Sequence, residues 1–233
     1  MTEFKLTPDC YELFDTCPIV SNAVVHGFVG SVRRAKLPMS VDPNRLDGKL
    51  TDGLIKLAQA EKGSGHDNWL NGIVVQFDLT FSNKAWVEME RYHFIDFVSS
   101  QSTMHRITKF DLEKPGVYIG YTDPRMIEIM QELVANYNES REAADNYRAH
   151  MNLSGEYDPE IQKELDNAAK EDYLRVLYSN PSGFRLTAGM TTNYRQLKTI
   201  YAQRRNHRLP EWREFCRWIE TLPYSELITG EVK

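Results

Sequence analysis

Apolar and polar residues alternate most cleanly over residues 73–81. Ile73, Val75, Phe77, Leu79 and Phe81 fall on one side, with Val74, Gln76, Asp78 and Thr80 between them. A period of two sends successive side chains to opposite faces, so a strand with one wholly apolar face is predicted. Ser82-Asn83 then offers an N-cap, and a helix is predicted over residues 84–97, ended by residues 99–102. On that helix Trp86, Met89, His93 and Phe97 lie three or four apart and share a face. From this pattern alone, His93 is a core histidine on an amphipathic helix.

The rest of the chain is helix-rich. Leu50, Leu54, Leu57 and Ala58 fall at helical spacing, and Thr51-Asp52 marks the start of a helix over residues 50–61. Asp123 and Asp158 each precede a proline, a common helix start, and introduce helices over residues 124–150 and 159–177. Two further helices are predicted over residues 190–203 and 211–222. Residues 11–14 read as a short strand, residues 20–32 as helix or strand, and residues 115–121 as a loop or short strand. Residues 38–48, 62–68, 151–158 and 180–183 are turn-rich. No repeat or shift in composition divides the chain. The expected class is α+β: a single helix-rich domain over residues 1–233 with a central antiparallel or mixed sheet, its strands mostly in the N-terminal half.

Composition narrows the functions open to such a domain. The 233 residues are 41% hydrophobic and 26% charged, with a net charge of −5. These are values of a soluble globular protein, and the acidic balance argues against a dedicated nucleic-acid binder. Cys10, Cys17 and Cys216 make an odd count with no CxxC pair, which fits a reducing compartment and gives no metal motif. The first residues carry early acidic groups and no long apolar run, so neither a signal peptide nor a membrane anchor is expected. The cytoplasm is the default location.

Residues 84–106 carry the densest chemistry. Tyr92-His93-Phe94 is followed by seven residues and then Ser102, and Gln101 sits just before it. This spacing resembles the signature of the flavin-dependent thymidylate synthases: Arg-His-Arg, seven residues, Ser. The likeness extends along the chain. Gly65-His66-Asp67-Asn68-Trp69 is similar to the family's loop before the strand that leads to the signature. Leu174-Arg175-Val176-Leu177 is similar to its Ala-Arg-x-Val-Leu segment. Thr192-Asn193-Tyr194-Arg195-Gln196-Leu197 resembles its Val-Asn-x-Arg-Ser-Leu segment, and residues 210–214 resemble the run that opens its last helix.

The resemblance implies conversion of dUMP to dTMP, with FAD as cofactor, methylene-tetrahydrofolate as carbon donor and NADPH as reductant. The cofactor carries the hard chemistry, so no protein nucleophile is needed. What the protein must supply is cations for phosphate, and arginine's planar fork suits that task. By match to family positions, Arg175, Arg204 or Arg205, Gln101, Ser102 and Arg106 are implied as nucleotide contacts, with Ser102 lying against the nucleotide as the candidate catalytic residue. His66, Tyr92, His93, Phe94, Asn193 and Arg195 are implied at the flavin. The family also implies a homotetramer and a small-molecule nucleotide substrate, with no membrane or nucleic-acid partner.

The departures fall on charged positions. Tyr92 and Phe94 replace the two arginines that engage flavin and nucleotide, and neither ring supplies a guanidinium's charge or donors. Ser99-Ser100 replaces an Asn-Glu pair, Met104-His105 an Arg-Tyr pair, with Arg106 close by, and Asn71 stands near the place of a glutamate. The two rings remain able to stack on a flat ligand. These changes leave two alternatives open: a related pyrimidine-nucleotide one-carbon transferase with a different acceptor base, or an inactive binding protein that kept the fold. A nucleic-acid role for residues 204–208 is disfavoured by the acidic net charge.

Overall fold

The computed structural model describes residues 9–13, 17–61, 63–154 and 157–230, with side chains left undescribed at 151–154. The end of the expected first strand at Phe14, Lys62 of one expected loop, and Gly155-Glu156 of an expected turn lie outside them. The chain forms two compact units. The first comprises Met1–Phe81, Ala85–Ser100 and Thr187–Lys233, and the second Ser82–Lys84 and Gln101–Leu186. The class is α+β, as the sequence predicts.

A five-stranded sheet organises the first unit. Its strands are β1 (Cys10–Leu13), β2 (Val20–His26), β3 (Val74–Ser82), β4 (Asp96–Ser100) and β5 (Arg185–Asn193), in the order β1-β2-β3-β5-β4. The pairs β1–β2, β2–β3 and β4–β5 are antiparallel. The alternation over residues 73–81 does what it predicts: Ile73, Val75, Phe77, Leu79 and Phe81 are all buried. Two helices contribute much of the matching surface, α7 (Tyr194–Arg204) and α8 (Pro210–Ile219). Leu197 and Ile200 come from α7, and Trp212, Phe215 and Ile219 from α8. Phe77 meets Phe215 at 5.7 Å between ring centroids, and Phe81 meets Trp212 at 5.1 Å.

The chain leaves β2 through Gly27 and enters α1 (Phe28–Ala35), so the 20–32 stretch is strand and then helix. Gly27 has φ +75, and a Cβ there would come within 2.5 Å of the Gly72 carbonyl oxygen. Only glycine fits that turn. Helix α2 (Asp52–Ala58) begins as predicted, with the Thr51 hydroxyl accepting from Leu54 N–H at 3.4 Å.

Two expectations need correction. The helix predicted over residues 84–97 stops early: α3 is Asn83–Met89, and residues 96–100 form edge strand β4. The run Ile95-Asp96-Phe97-Val98 is β-branched and aromatic, and pairing with β5 overrides the helical spacing. Phe97 lies opposite Met190, and Ser99 opposite Gly189. His93 is therefore an exposed loop residue, not a core histidine of a helix. The helix predicted over residues 190–203 likewise starts late, because Met190 to Asn193 finish β5 and α7 opens at Tyr194.

The second unit is built on a helical hairpin. Its helices are α4 (Thr103–Arg106), α5 (Pro124–Ser154) and α6 (Pro159–Ser179). The Asp-Pro starts behave as predicted: Asp158 accepts from Glu160 N–H at 2.9 Å, and Asp123 from Arg125 N–H at 3.0 Å. Ile107, Tyr118, Met130, Val176 and Phe184 form its core. Arg148 makes a paired bond to Asp166 at 2.9 Å through each carboxylate oxygen, tying α5 to α6.

Candidate functional site

A cavity of about 620 Å³ opens in the first unit beside the start of α7. It is lined by Asp67, Asn71, Phe94, Asn193, Arg195, Gln196, Lys198, Thr199 and Ala202. That volume is in the range of small-molecule sites, roughly 300–1,000 Å³. Its geometry follows from one junction. Tyr194 N–H donates to the Ile73 carbonyl at 3.0 Å, which fastens the first turn of α7 to the entry of β3. Asn193 caps that helix by accepting from Gln196 N–H at 2.9 Å. Arg195 and Lys198, three apart, then share a face of α7. That face meets Asp67, just before β3.

Asp67 is only 3% exposed and holds both cations. One carboxylate oxygen accepts from Arg195 Nε at 3.1 Å, and the other from Lys198 Nζ at 2.9 Å. Burial pushes the Asp67 carboxyl up, but the hydrogen bond and charge of Lys198, joined by Arg195, more than offset this. The carboxyl is held below the usual carboxylate range. Lys198 also donates to the carbonyls of Ala58 at 2.6 Å and Ala60 at 3.2 Å. Arg195 differs: beyond its Nε bond, its two terminal nitrogens have no hydrogen bond among the described residues. With two cations and one carboxylate, the cavity wall carries net positive charge.

Phe94 forms an apolar part of the wall. Its backbone is left-handed at φ 62, uncommon for a bulky residue, and its ring is 72% exposed. The buried Thr192 hydroxyl donates to its carbonyl at 2.8 Å and holds that conformation.

Three of the residues implied at the flavin thus meet in this cavity, Phe94, Asn193 and Arg195, joined by Asn71, which stands near the place of a family glutamate. Tyr92 and Arg204 pair elsewhere in the same unit. Arg204 Nε donates to the Tyr92 hydroxyl at 2.7 Å, and its guanidinium lies 5.3 Å from the Tyr92 ring centroid and 4.9 Å from that of Trp212. Glu88 adds an ion pair at 3.4 Å. Burial raises the Tyr92 phenol above its ordinary value against the opposing pull of Arg204. Arg204 is itself buried, whereas Arg205 is exposed, its guanidinium 5.8 Å from the Tyr201 ring centroid. His66 and His93 are exposed and do not line the cavity.

Gln101, Ser102, Arg106 and Arg175 belong to the second unit. Ser102 is the N-cap residue of α4, its carbonyl accepting from Arg106 N–H at 3.1 Å. Arg175 lies on the exposed face of α6, paired with Asp172 at 2.7 Å and Glu171 at 3.9 Å.

Sequence reasoning missed Asp67, Lys198, Gln196 and Thr199. The signal for Asp67 was present: an acidic residue in a glycine-rich loop before the strongest strand, opposite a helix with cations three apart.

No protein-family model matches the chain, and no curated protein matches it. Solved structures do. The chain is similar to the flavin-dependent thymidylate synthase ThyX from Helicobacter pylori complexed with FAD and dUMP. The match has a TM-score of 0.51 at 13% identity, covering 92% of this chain and 96% of that one. A second structure of Helicobacter pylori ThyX with FAD and dUMP gives the same figures: 0.51, 13%, 92% and 96%. A UMP/dUMP methylase, PolB from Streptomyces cacaoi bound with 5-Br dUMP, reaches a TM-score of 0.48 at 14% identity over 91% of this chain and 94% of that one. The fold is that of the flavin-dependent thymidylate synthases.

Proposed function

We propose that this chain is a divergent flavin-dependent thymidylate synthase. In this reading it methylates dUMP to dTMP with methylene-tetrahydrofolate as carbon donor, FAD as redox group and NADPH as reductant. One observation carries the reading: Phe94, Asn193 and Arg195, all at positions implied for the flavin, line one cavity of ligand size in a chain of this fold.

The wall suits the group. A flat, polar ring system with phosphates attached needs an apolar plane, amide-type partners and a cation. Phe94 offers the plane, Asn193, Asn71 and Gln196 the amides, and Arg195 the cation. FAD, once bound, supplies the hydride chemistry that no side chain here provides. The protein's own contribution is binding and orientation. Phe94 would cover a flat ring and shield it from water, at about 0.5–1.5 kcal/mol beyond burial for a stacked pair. Arg195 would meet an anionic oxygen through its terminal nitrogens, and Asn193, which caps α7 through its side-chain oxygen, lines the same cavity.

Gln101, Ser102, Arg106 and Arg175 are carried as nucleotide contacts on the sequence resemblance. Of the two turn arginines, Arg205 is the accessible one. His66, His93 and Tyr92 keep a flavin role only on that same resemblance. Assembly into a homotetramer belongs to this reading too, and light scattering tests it.

A second reading is favoured by the burial of Arg204. One of the two turn arginines implied for the nucleotide is taken up by Tyr92, Glu88 and Trp212. A pocket altered in this way suits a related pyrimidine-nucleotide protein with another acceptor base, or one without turnover. Incubation with dUMP, methylene-tetrahydrofolate, FAD and NADPH separates the two. Formation of dTMP supports the first reading. FAD and nucleotide binding without dTMP supports the second, and binding of neither sinks both.

A further inference from the structure

We propose that Asp67 is a positioning residue, holding Arg195 by one edge so that the guanidinium's outer edge receives a phosphate oxyanion of the ligand in the first-unit cavity. The proposal rests on the functional reading above for the identity of that ligand, FAD or dUMP.

Asp67 is buried, and its two oxygens are divided between two cations. The cations are used differently. Lys198 has three donors and three acceptors: Asp67 and the carbonyls of Ala58 and Ala60. It is a clamp with nothing left to offer. Among the described residues Arg195 is bound only at Nε, which leaves its two terminal nitrogens available. A guanidinium is planar, so fixing Nε fixes the direction of the other edge, the geometry for a paired bond to an oxyanion. Lysine cannot be held at one point while presenting two parallel donors at another.

Asp67 also carries charge, and this makes the claim testable by sign. If the carboxylate merely neutralised the wall, removing its charge would draw an anion in more tightly. If it positions Arg195, removing it weakens binding despite the gain in positive charge. Because Asp67 acts through Arg195, its loss should cost nothing once Arg195 is gone.

The test is a titration of FAD and, separately, dUMP into wild type, D67N, R195A, R195K and D67N/R195A. It is paired with hydrogen exchange at the Arg195 Nε–H followed by nitrogen-15 NMR, the signal being identified by its absence in R195K. The ligand whose affinity responds identifies the phosphate concerned. The expected result is a loss of tenfold or more in D67N, an equal loss in R195A and R195K, and a double variant no worse than R195A. Binding by D67N as tight as wild type or tighter, losses that multiply in the double variant, or full binding by R195K would each overturn the proposal. If D67N does not fold, R195K decides. If wild type takes neither ligand, the functional reading fails. The exchange then decides the positioning claim: a protected Nε–H in wild type that D67N exposes sustains it, and unchanged exchange overturns it.

Discussion

Arg204 donates its Nε to the Tyr92 hydroxyl at 2.7 Å while its guanidinium lies 5.3 Å from the centre of the same ring. The Tyr92 hydroxyl in turn donates a hydrogen bond to the Gln203 side-chain oxygen at 2.9 Å. The first residue of the Tyr-His-Phe triplet therefore has its polar end committed to α7. It anchors the loop after α3 to the core, where Trp212 closes the other side of the guanidinium at 4.9 Å.

Tyr92→Phe keeps the ring and removes the acceptor. Leaving a buried arginine donor unpaired costs about 1–3 kcal/mol. Thermal unfolding should show a lower Tm, with FAD affinity unchanged. A loss of FAD affinity at unchanged Tm would instead place the phenol against the ligand.

Phe94 separates stability from binding. Its left-handed backbone costs a non-glycine residue about 1–2 kcal/mol. Its ring is 72% exposed, so little burial is lost with it. Phe94→Gly relieves the strain but adds unfolded-state entropy worth roughly 0.5–1 kcal/mol. Stability should hold or rise slightly in denaturant unfolding, while FAD affinity falls several-fold. A large loss of stability would contradict the strain account.

The fold was largely legible because period-two and period-3.6 patterns report burial directly. The alternation over residues 73–81 marked a strand, Asp123 and Asp158 marked helix starts, and the helix predicted over residues 211–222 is found at 210–219. The region around the candidate site was harder. Nothing local ends α3 at Met89, since no glycine or proline follows. What ends it is β5, about ninety residues on, pairing with residues 96–100. Phe94 gave no hint of a positive φ, which glycine or asparagine would have carried. At the other end, Thr191-Thr192-Asn193 did hold a readable sign, β-branched residues and then a cap, that β5 runs to α7. Asp67 had a local sign, its place in a glycine-rich loop before the strand, but its partners are tertiary: it lies 128 positions from Arg195 and 131 from Lys198.

Asp67 makes stability depend on acidity in one direction. Its folded-state carboxyl titrates below the unfolded one. Its contribution is therefore fully present above the unfolded value of about 4 and is lost as pH falls through the folded value. The stability gap between wild type and D67N should be constant near neutrality and narrow below about pH 4. Urea unfolding across that range measures it. A gap that persists unchanged in acid would mean the carboxylate charge contributes nothing.

Arg175 tests the resemblance in the second unit by itself. Its side chain is 63% exposed, and among the described residues it pairs only with neighbours on its own helix. The pair with Glu171 is exposed and worth about 0–1 kcal/mol, and the less exposed Asp172 keeps a hydrogen bond from the Ser140 hydroxyl when Arg175 is removed. Arg175→Ala should leave Tm nearly unchanged yet weaken dUMP roughly tenfold or more, the size of a charge-assisted hydrogen bond. Equal dUMP affinity in calorimetry would remove Arg175 from the nucleotide site.

We propose that the first-unit cavity holds a flavin. The most direct test is the absorbance spectrum of the purified protein, with and without added FAD, for wild type and R195A. The account predicts a flavin band, or saturable FAD binding that perturbs one, in wild type, with a marked loss in R195A. No flavin band and no FAD binding in folded wild-type protein would contradict it.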